Sequence, residues 1–208
     1  MLIMKLRFLH AAFLLVFVIA ILAGCSSSPS TPGNKTPASG VMPWEVSTPV
    51  PYTQLSQLVL SPTELPFVAV DAKVQTPDMN DLAFSRFGAL RGYTRYSINE
   101  KNESATSVQL GQMIVEYPPG NATKAFLAFE YENEHADQSQ YEITWLADPR
   151  IGDQSCALKI VDRDGEAKPI VMVVFTKANI MESVTLIGPS PDTNALTRAA
   201  RQAAAKIP

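Results

Sequence analysis

Cysteine and histidine are scarce in this chain, and their scarcity excludes several kinds of site. The 208 residues contain two cysteines, Cys25 and Cys156, and two histidines, His10 and His135. Metal sites built from several histidines need more imidazoles than the chain offers. A disulfide framework is excluded as well if Cys25 is modified, because Cys156 then has no partner within the chain.

Basic clusters and phosphate-binding loops are also missing. Charged residues make up 18% of the chain, with 17 basic and 20 acidic side chains and a formal net charge of -3. Nucleic-acid binding needs clustered Lys and Arg to displace counterions from phosphates, and the sequence shows no such cluster. Neither Gly-x-Gly-x-x-Gly nor Gly-Lys-Ser/Thr occurs. The sequence therefore predicts no nucleic-acid partner and assigns no cofactor.

Residues 1–24 have the composition of a secretory signal peptide. A short basic stretch, residues 1–7, precedes the almost wholly apolar residues 8–22, and small residues follow. This is the order of regions in an exported protein. The end of the segment reads Leu22-Ala23-Gly24-Cys25 and resembles the lipobox of prokaryotic lipoproteins. The resemblance implies that the Cys25 thiol receives a diacylglyceryl group and that cleavage leaves Cys25 as the new N-terminus.

Lipidation at Cys25 predicts an anchor at the outer face of the cytoplasmic membrane, since buried acyl methylenes contribute roughly 0.8 kcal/mol each. The alternative is an uncleaved membrane helix. The apolar run is shorter than the ~20 residues that span a bilayer comfortably, although ~17 can suffice. Cleavage would remove Lys5 and Arg7, which leaves 15 basic against 20 acidic residues and a net charge of -5.

Residues 25–54 form a tether that is rich in Ser, Thr, Gly and Pro, with six prolines between positions 29 and 51. Such a segment cannot bury enough apolar surface to offset its ordering entropy, and proline biases it toward extended conformations. We therefore expect a disordered, semi-stiff spacer. Three glycosylation sequences begin at Asn34, Asn102 and Asn121. Pro37 follows the first directly, which leaves Asn102 and Asn121 as the candidate glycan acceptors.

Residues 55–208 show the patterns of a single α+β domain. Apolar runs and alternations predict strands, and apolar residues at helical spacing predict three helices. Consecutive strands lack crossover helices, so we expect a mainly antiparallel sheet of about six strands covered by those helices. Two short β-prone pieces occur at residues 58–60 and 67–70. The longer strands are expected near residues 93–98, 107–117, 141–145, 156–160, 170–175 and 180–187, and the helices begin near Thr76, Gly120 and Ser190.

Some of these elements carry more specific predictions. Thr76-Pro77-Asp78 begins a helix whose apolar side chains extend to Leu90 and which Gly92 closes. The apolar alternation changes phase around Gly111, which predicts a β-bulge. The uninterrupted apolar run 170–175 predicts a central strand covered on both faces.

Cys156 and His135 are the pair from which cysteine-based catalysis would have to be built. Cys156 alternates with Leu158 and Ile160, however, and this pattern favours a buried structural thiol. A serine nucleophile would also need His135, and no Gly-x-Ser-x-Gly elbow is present. The sequence therefore assigns no catalytic residue.

Two acidic stretches are candidates for a hard cation. Residues 130–137 hold the densest group of carboxylates, but acids near a helix end usually form a solvated face. Asp162-Arg163-Asp164-Gly165 is similar to part of a calcium loop. Ile160 occupies a ligand position, however, and no Glu closes the loop, so a hairpin turn is the favoured interpretation. We assign no metal site from the sequence.

The C-terminal two-thirds of the chain carry a resemblance to known proteins. The stretch from Ile151-Gly152-Asp153-Gln154-Ser155 through the apolar strand to Gly188 and the Ala-rich helix resembles small uncharacterised lipoproteins of methanogenic archaea. More distantly, the element order is similar to PsbP-like and LpqN-like domains, which are antiparallel sheets between helices. The resemblance brings no catalytic residues and implies an extracytoplasmic binding or accessory role.

The sequence thus predicts a membrane-anchored, extracytoplasmic module that binds an envelope protein or a small ligand and is not an enzyme. The alternatives are a hydrolase or other enzyme that uses carboxylates the sequence does not identify, and a structural envelope component. A concave pocket with converging polar groups would favour a ligand, and an exposed apolar patch would favour a protein partner. Two buried carboxylates facing each other would favour the enzyme.

Overall fold

The computed structural model describes residues 54–99 and 105–208. The signal peptide, the lipidation site Cys25, the tether up to residue 53 and the sequon at Asn102 lie outside the described residues. The described part contains one seven-stranded antiparallel sheet and three α-helices, which confirms the predicted α+β class with one strand more than expected. The strands are β1 (Asp71–Gln75), β2 (Arg91–Ile98), β3 (Gln109–Glu116), β4 (Tyr141–Trp145), β5 (Gln154–Asp162), β6 (Ile170–Lys177) and β7 (Ile180–Ile187), and the helices are α1 (Leu82–Ser85), α2 (Asn121–Glu134) and α3 (Thr193–Lys206).

Two antiparallel meanders form the sheet, whose strand order is β1-β2-β3-β7-β6-β5-β4. The first meander is β1-β2-β3, and the second runs from β4 to β7. The last strand, β7, returns to pair with β3 and joins the two halves. This arrangement puts β6, the predicted central strand, in the interior of the sheet, where residues 170–176 are buried.

Helices cover both faces of the sheet, and each face has its own apolar core. We call the face under α3 and residues 55–60 the α3 face, and the opposite face, under α1 and α2, the α2 face. Ile114, Val173 and Val184 belong to the first core, and Met113, Leu158 and Met172 belong to the second. Because the central strands are covered on both sides, alternate residues enter different cores.

Helix α3 packs against the sheet through a stripe of mostly small residues. Asp192 caps its N-terminus by accepting hydrogen bonds from the amides of Asn194 and Ala195, which satisfies two donors that would otherwise lack partners. The stripe consists of buried side chains, mostly alanines that let the helix lie close to the sheet: Leu196, Ala199, Ala200, Ala203 and Ile207.

Within the described residues, no helix is long and apolar enough to cross a bilayer.

The helix predicted from Thr76 to Leu90 is wrong in its extent. The chain instead turns at Asp78, and Asp81 caps α1, which is a single turn. Gly88, with a φ of 67°, then reverses the chain toward β2. Gly92, the predicted end of the helix, lies within β2. This single turn is long enough to bury Phe84 in the α2 core, whereas Leu82 remains 63% exposed.

Three further predictions near the first half of the sheet are wrong. Residues 58–60 and 67–70 do not form strands, and the first strand is β1, which begins at Asp71. The predicted bulge at Gly111 is absent, since Gly111 pairs in unbroken register with Tyr96 and Thr185. The phase change that suggested the bulge arises because Leu110 enters the α3 core while Met113 enters the α2 core.

Candidate functional site

Glu182 is a fully buried carboxyl group at the centre of the sheet. It lies on β7 between Ile180 and Val184 on the α3 face and has a solvent exposure of 0%. Gln112 Nε2 donates a hydrogen bond to Glu182 Oε1 at 2.6 Å, whereas Glu182 Oε2 has no hydrogen-bond partner in the described structure. A carboxylate in such surroundings is costly unless it is paired or protonated.

Burial raises the pKa of Glu182 to about 8, although the hydrogen bond from Gln112 and the charge of Lys206 act in the opposite direction. The side chain is therefore mainly a neutral carboxylic acid at neutral pH. Sequence analysis missed this residue. The available signal was a single acid within the otherwise uncharged run 180–187, whose neighbours are predicted to be buried.

The segment 58–60, which we call the strap, is linked to Glu182 through the Gln112 side chain. It follows a short 3-10 turn, Leu55–Gln57, and all three of its residues are buried. The Gln112 side chain holds it at two points. Gln112 Oε1 accepts a hydrogen bond from Leu60 N at 2.9 Å, and Gln112 Nε2 also lies 3.4 Å from Leu58 O.

Two positively charged side chains also donate hydrogen bonds to the backbone of the strap. Arg95 Nη1 donates to Leu60 O at 3.3 Å, and Lys206 Nζ donates to Val59 O at 2.9 Å. Lys206 also forms an ion pair with Glu64 at 2.7 Å. The strap backbone is thus bonded to side chains from β2, β3 and α3, which explains why residues predicted as a strand remain outside the sheet.

The cluster of Glu182, Gln112 and the strap is suited to responding to protons and poorly suited to catalysis. Glu182 is fully buried, and Glu64, which like Glu182 lies near Lys206, forms an ion pair with that lysine. A glycosidase-type or protease-type pair requires two carboxyl groups that both reach the substrate. The cluster does not provide that arrangement, so the structure gives no support to the carboxylate-enzyme alternative at this position.

Cys156 lies where the sequence predicts, in the core of the α2 face, with an exposure of 5%. Burial raises the pKa of its thiol, and the nearby carboxylates of Glu130 and Asp148 act in the same direction. The thiol is therefore protonated at neutral pH. On the opposite face of β5, Ala157 is buried in the α3 core and Lys159 is exposed.

His135 and the acidic residues around it form the surface end of α2. The exposed His135 stacks on Tyr131 with the ring centroids 4.2 Å apart, and its Nδ1 lies 2.7 Å from Tyr131 O. Glu132 forms an ion pair with Arg86. In the ranges 54–99 and 105–208, no group of three or more His, Cys, Asp or Glu residues is placed to hold a metal ion.

The loop at Asp162 is a turn between β5 and β6, as the sequence predicts. Asp162 Oδ2 accepts hydrogen bonds from the amides of Glu166 and Ala167, both at 2.9 Å. Gly165 adopts a φ of 70°, which favours glycine. The carboxylate of Asp162 is therefore used to close the hairpin.

Asn121, the candidate glycosylation site in the described region, begins α2 and is half-buried. Its Nδ2 donates to Phe87 O at 3.1 Å, and its Oδ1 accepts a hydrogen bond from Lys124 Nζ at 3.0 Å. A glycan on this nitrogen would leave it a single N–H, which would have to be the one that bonds to Phe87 O. Glycosylation at Asn121 remains a prediction.

The Ile151–Ser155 motif that carries the resemblance to lipoproteins has a structural role. Gly152 has a φ of +65°, and a Cβ added there would lie 2.1 Å from Thr176 O. Asp153 Oδ2 accepts a hydrogen bond at 2.7 Å from the amide of Ala178, which itself has a positive φ. The motif thus fixes the start of β5 against the turn between β6 and β7.

A small apolar cavity lies on the α2 face between α1, α2 and the sheet. Its lining includes Phe84, Phe129 and the hydroxyl-bearing Ser183, and its volume is about 10 Å³. That volume is near the minimum for one water molecule. The cavity is therefore too small for an organic ligand in this conformation.

Comparisons with known proteins reveal a fold relationship. No protein-family model matches the chain, and no curated protein sequence matches it. A solved structure that does match is the extracellular domain of PknH from Mycobacterium tuberculosis, with a TM-score of 0.53 and 13% sequence identity. The alignment covers 73% of this chain and 93% of that one. At this identity the likeness shows that the two share a fold.

Proposed function

We propose that this chain is a lipid-anchored extracytoplasmic module that binds an envelope protein or a small ligand and does not catalyse a reaction. The observation that carries the proposal is the order of segments: an export-type segment, then Leu22-Ala23-Gly24-Cys25, then a Pro-rich tether, then a domain. In this arrangement the lipid on Cys25 holds the domain at the outer face of the cytoplasmic membrane.

The shared fold supports the extracytoplasmic part of the proposal. The matched structure is described as an extracellular domain, so this architecture occurs outside the cytoplasm in at least one other protein. The proposed kinship with lipoproteins of methanogenic archaea, and more distantly with PsbP-like and LpqN-like domains, rests on the sequence resemblance. These families would place the chain in the cell envelope too.

The arrangement of reactive groups supports binding rather than catalysis. Glu182 and Cys156, two groups whose pKa values burial raises strongly, lie on opposite faces of the sheet. Glu182 is fully buried, and the α2 core surrounds Cys156. His135 is an exposed residue stacked on Tyr131. These groups are therefore separated instead of converging on one cleft, as an active site requires.

The anchor is tested by feeding a labelled fatty acid to cells that express the full chain. We expect acyl label in the wild type and in Cys156→Ala, and complete loss of label in Cys25→Ala, because the thiol that accepts the diacylglyceryl group is gone. Unchanged labelling of Cys25→Ala would contradict the proposal. Membrane retention of an unlabelled wild-type chain would instead support the uncleaved-helix alternative.

A further inference from the structure

The open edge of β1 is the most exposed strand surface of the domain. β1 lies at one end of the sheet, and all five of its residues are exposed. Val70, which directly precedes β1, and Val74, its fourth residue, are 46% and 57% exposed. The outer edge of a terminal strand presents N–H and C=O groups that can pair with another strand.

The sequence of this edge, Val70-Asp71-Ala72-Lys73-Val74, is complementary to itself in the antiparallel direction. We propose that β1 pairs with β1 of a second copy of this chain about a two-fold axis at Ala72. In that register Asp71 of each copy lies opposite Lys73 of the other. Val70 lies beside Val74, so both ends of the junction are apolar. Directly opposed pairs of opposite charge, and apolar pairs, stabilise antiparallel strands.

The charges also select this register over its neighbours. A junction centred on Lys73 would place Lys73 opposite its own copy, and one centred on Asp71 would do the same with Asp71. Like charges directly opposite each other destabilise a strand pair. An exposed lysine on an edge strand, such as Lys73, disfavours pairing with unrelated strands. A strand of the same sequence can still pair, because its Asp71 lies opposite Lys73.

The amide of Ala72 is positioned for the exchange. It donates to Asp71 Oδ1 of its own strand at 2.8 Å. When two copies meet, the Ala72 amide can turn to the carbonyl of the other Ala72, and the freed Asp71 carboxylate can reach Lys73 opposite. The Ala72 amide and the Asp71 carboxylate therefore each have a partner before and after pairing.

The two-fold symmetry of the junction would put the straps of both copies on the same side of the joined sheet. A two-fold axis perpendicular to the sheet keeps each face on its own side, so two seven-stranded sheets would join into one of fourteen strands. The straps of both copies lie on the α3 face and would point the same way. Anchoring of both copies in one membrane would also raise their local concentration and so favour pairing of the two β1 strands. This last advantage rests on the proposed anchor, whereas the pairing itself requires only β1.

The other edge of the sheet provides a matched control. β4 is also a terminal strand, and Thr144 near its end is exposed. Its sequence contains one charged residue, Glu142, and no basic residue to oppose it. Self-pairing of β4 would therefore lack the charge complementarity of β1.

The test is disulfide cross-linking of the full-length chain in cells. Residues opposite each other in an antiparallel pair have Cα atoms about 4.5–5.5 Å apart, within the range of a disulfide. We expect Ala72→Cys to give a covalent dimer on mild oxidation and Thr144→Cys to give none. Equal cross-linking of both variants, or none with Ala72→Cys, would overturn the proposal. The dimer is scored in whichever cell fraction holds the chain, so loss of anchoring and loss of pairing are separate results.

Charge exchange on the Ala72→Cys background tests the register. Asp71→Lys or Lys73→Asp alone should lower the cross-linked fraction about tenfold, because each creates two like-charged pairs. The double exchange, Asp71→Lys with Lys73→Asp, should restore it. Co-expression of the two single variants should give a mixed dimer, since each is then complementary to the other. If the single exchanges leave cross-linking unchanged, this pairing is wrong.

Discussion

Gln112 Nε2 lies 2.6 Å from Glu182 Oε1, while Gln112 Oε1 accepts a hydrogen bond from Leu60 N at 2.9 Å. A single side chain thus connects a buried acid to the strap through which the tether enters the domain. Ionisation of Glu182 would place a charge in the α3 core. Because Gln112 bonds to both Glu182 and Leu60, we expect the strap to shift when Glu182 ionises. Stability, protonation and the position of the tether are therefore expected to be linked.

Residues 55–208 should fold as an independent soluble domain, whereas a fragment that begins at residue 61 should not be stable. The longer fragment keeps Leu55, Leu58 and Leu60, all of which are buried in the α3 core. Removing even one buried leucine side chain costs about 2–5 kcal/mol. Urea denaturation checks both fragments. A cooperative transition of equal midpoint in the two would show that the strap contributes no stability.

The stability of the domain should fall as the pH rises from 4.5 toward about 8. The pKa of Glu182 is raised from its ordinary value of 4.5 to about 8, so in this window the folded chain binds a proton that the unfolded chain has released. The free energy of unfolding then decreases with pH, by up to about 1.4 kcal/mol per pH unit for one proton. Above the folded pKa, this contribution is lost and the dependence levels off.

Glu182→Gln tests this assignment, because glutamine keeps the shape and does not titrate. Its stability relative to the wild type should increase between pH 5 and pH 8, as measured by urea denaturation at several pH values. Glu64→Gln, which alters the carboxylate paired with Lys206, serves as the control and should leave the downward slope in place. The same slope in Glu182→Gln as in the wild type would assign the titration to another group.

Cys156 should resist alkylation in the folded domain and react only after denaturation. Its thiol is buried on the α2 face, and burial raises its pKa, so the reactive thiolate is rare at neutral pH. Cys156→Ala should destabilise the domain by on the order of 1 kcal/mol through a small cavity. Rapid alkylation of the native protein would refute the structural role and direct attention back to a pairing with His135.

Gly152→Ala should destabilise the domain more than Gly165→Ala does. Both glycines have a positive φ, at 65° and 70°, so both substitutions incur the roughly 1–2 kcal/mol strain of a left-handed non-glycine residue. A Cβ at Gly152 would also meet Thr176 O at 2.1 Å, whereas a Cβ at Gly165 meets nothing within 4 Å. Thermal or urea denaturation gives the comparison. Equal losses would mean that the contact with Thr176 relaxes freely.

The second half of the fold was predictable because its signals are local. β4 to β7 alternate or run apolar over five to nine residues between turn sequences, and each was found at or within two residues of its predicted position. Helix α3 likewise begins near its predicted start at Ser190 and includes the predicted Ala-rich stretch. In these segments the local secondary-structure preference agrees with the observed structure, so long-range contacts did not change the predicted elements.

The first half and the Glu182 cluster depended on contacts that no local pattern records. By itself the sequence determined an α+β domain, its antiparallel order and the burial of Cys156, since periodicity and turn residues are read within a few positions. Only the tertiary structure decided that residues 58–60 become a strap, because their partners Gln112, Arg95 and Lys206 are between 35 and 147 residues away. The same holds for Glu182, which lies 70 residues from Gln112, and whose protonation is set by burial that arises when β3, β7, α3 and the strap close around it.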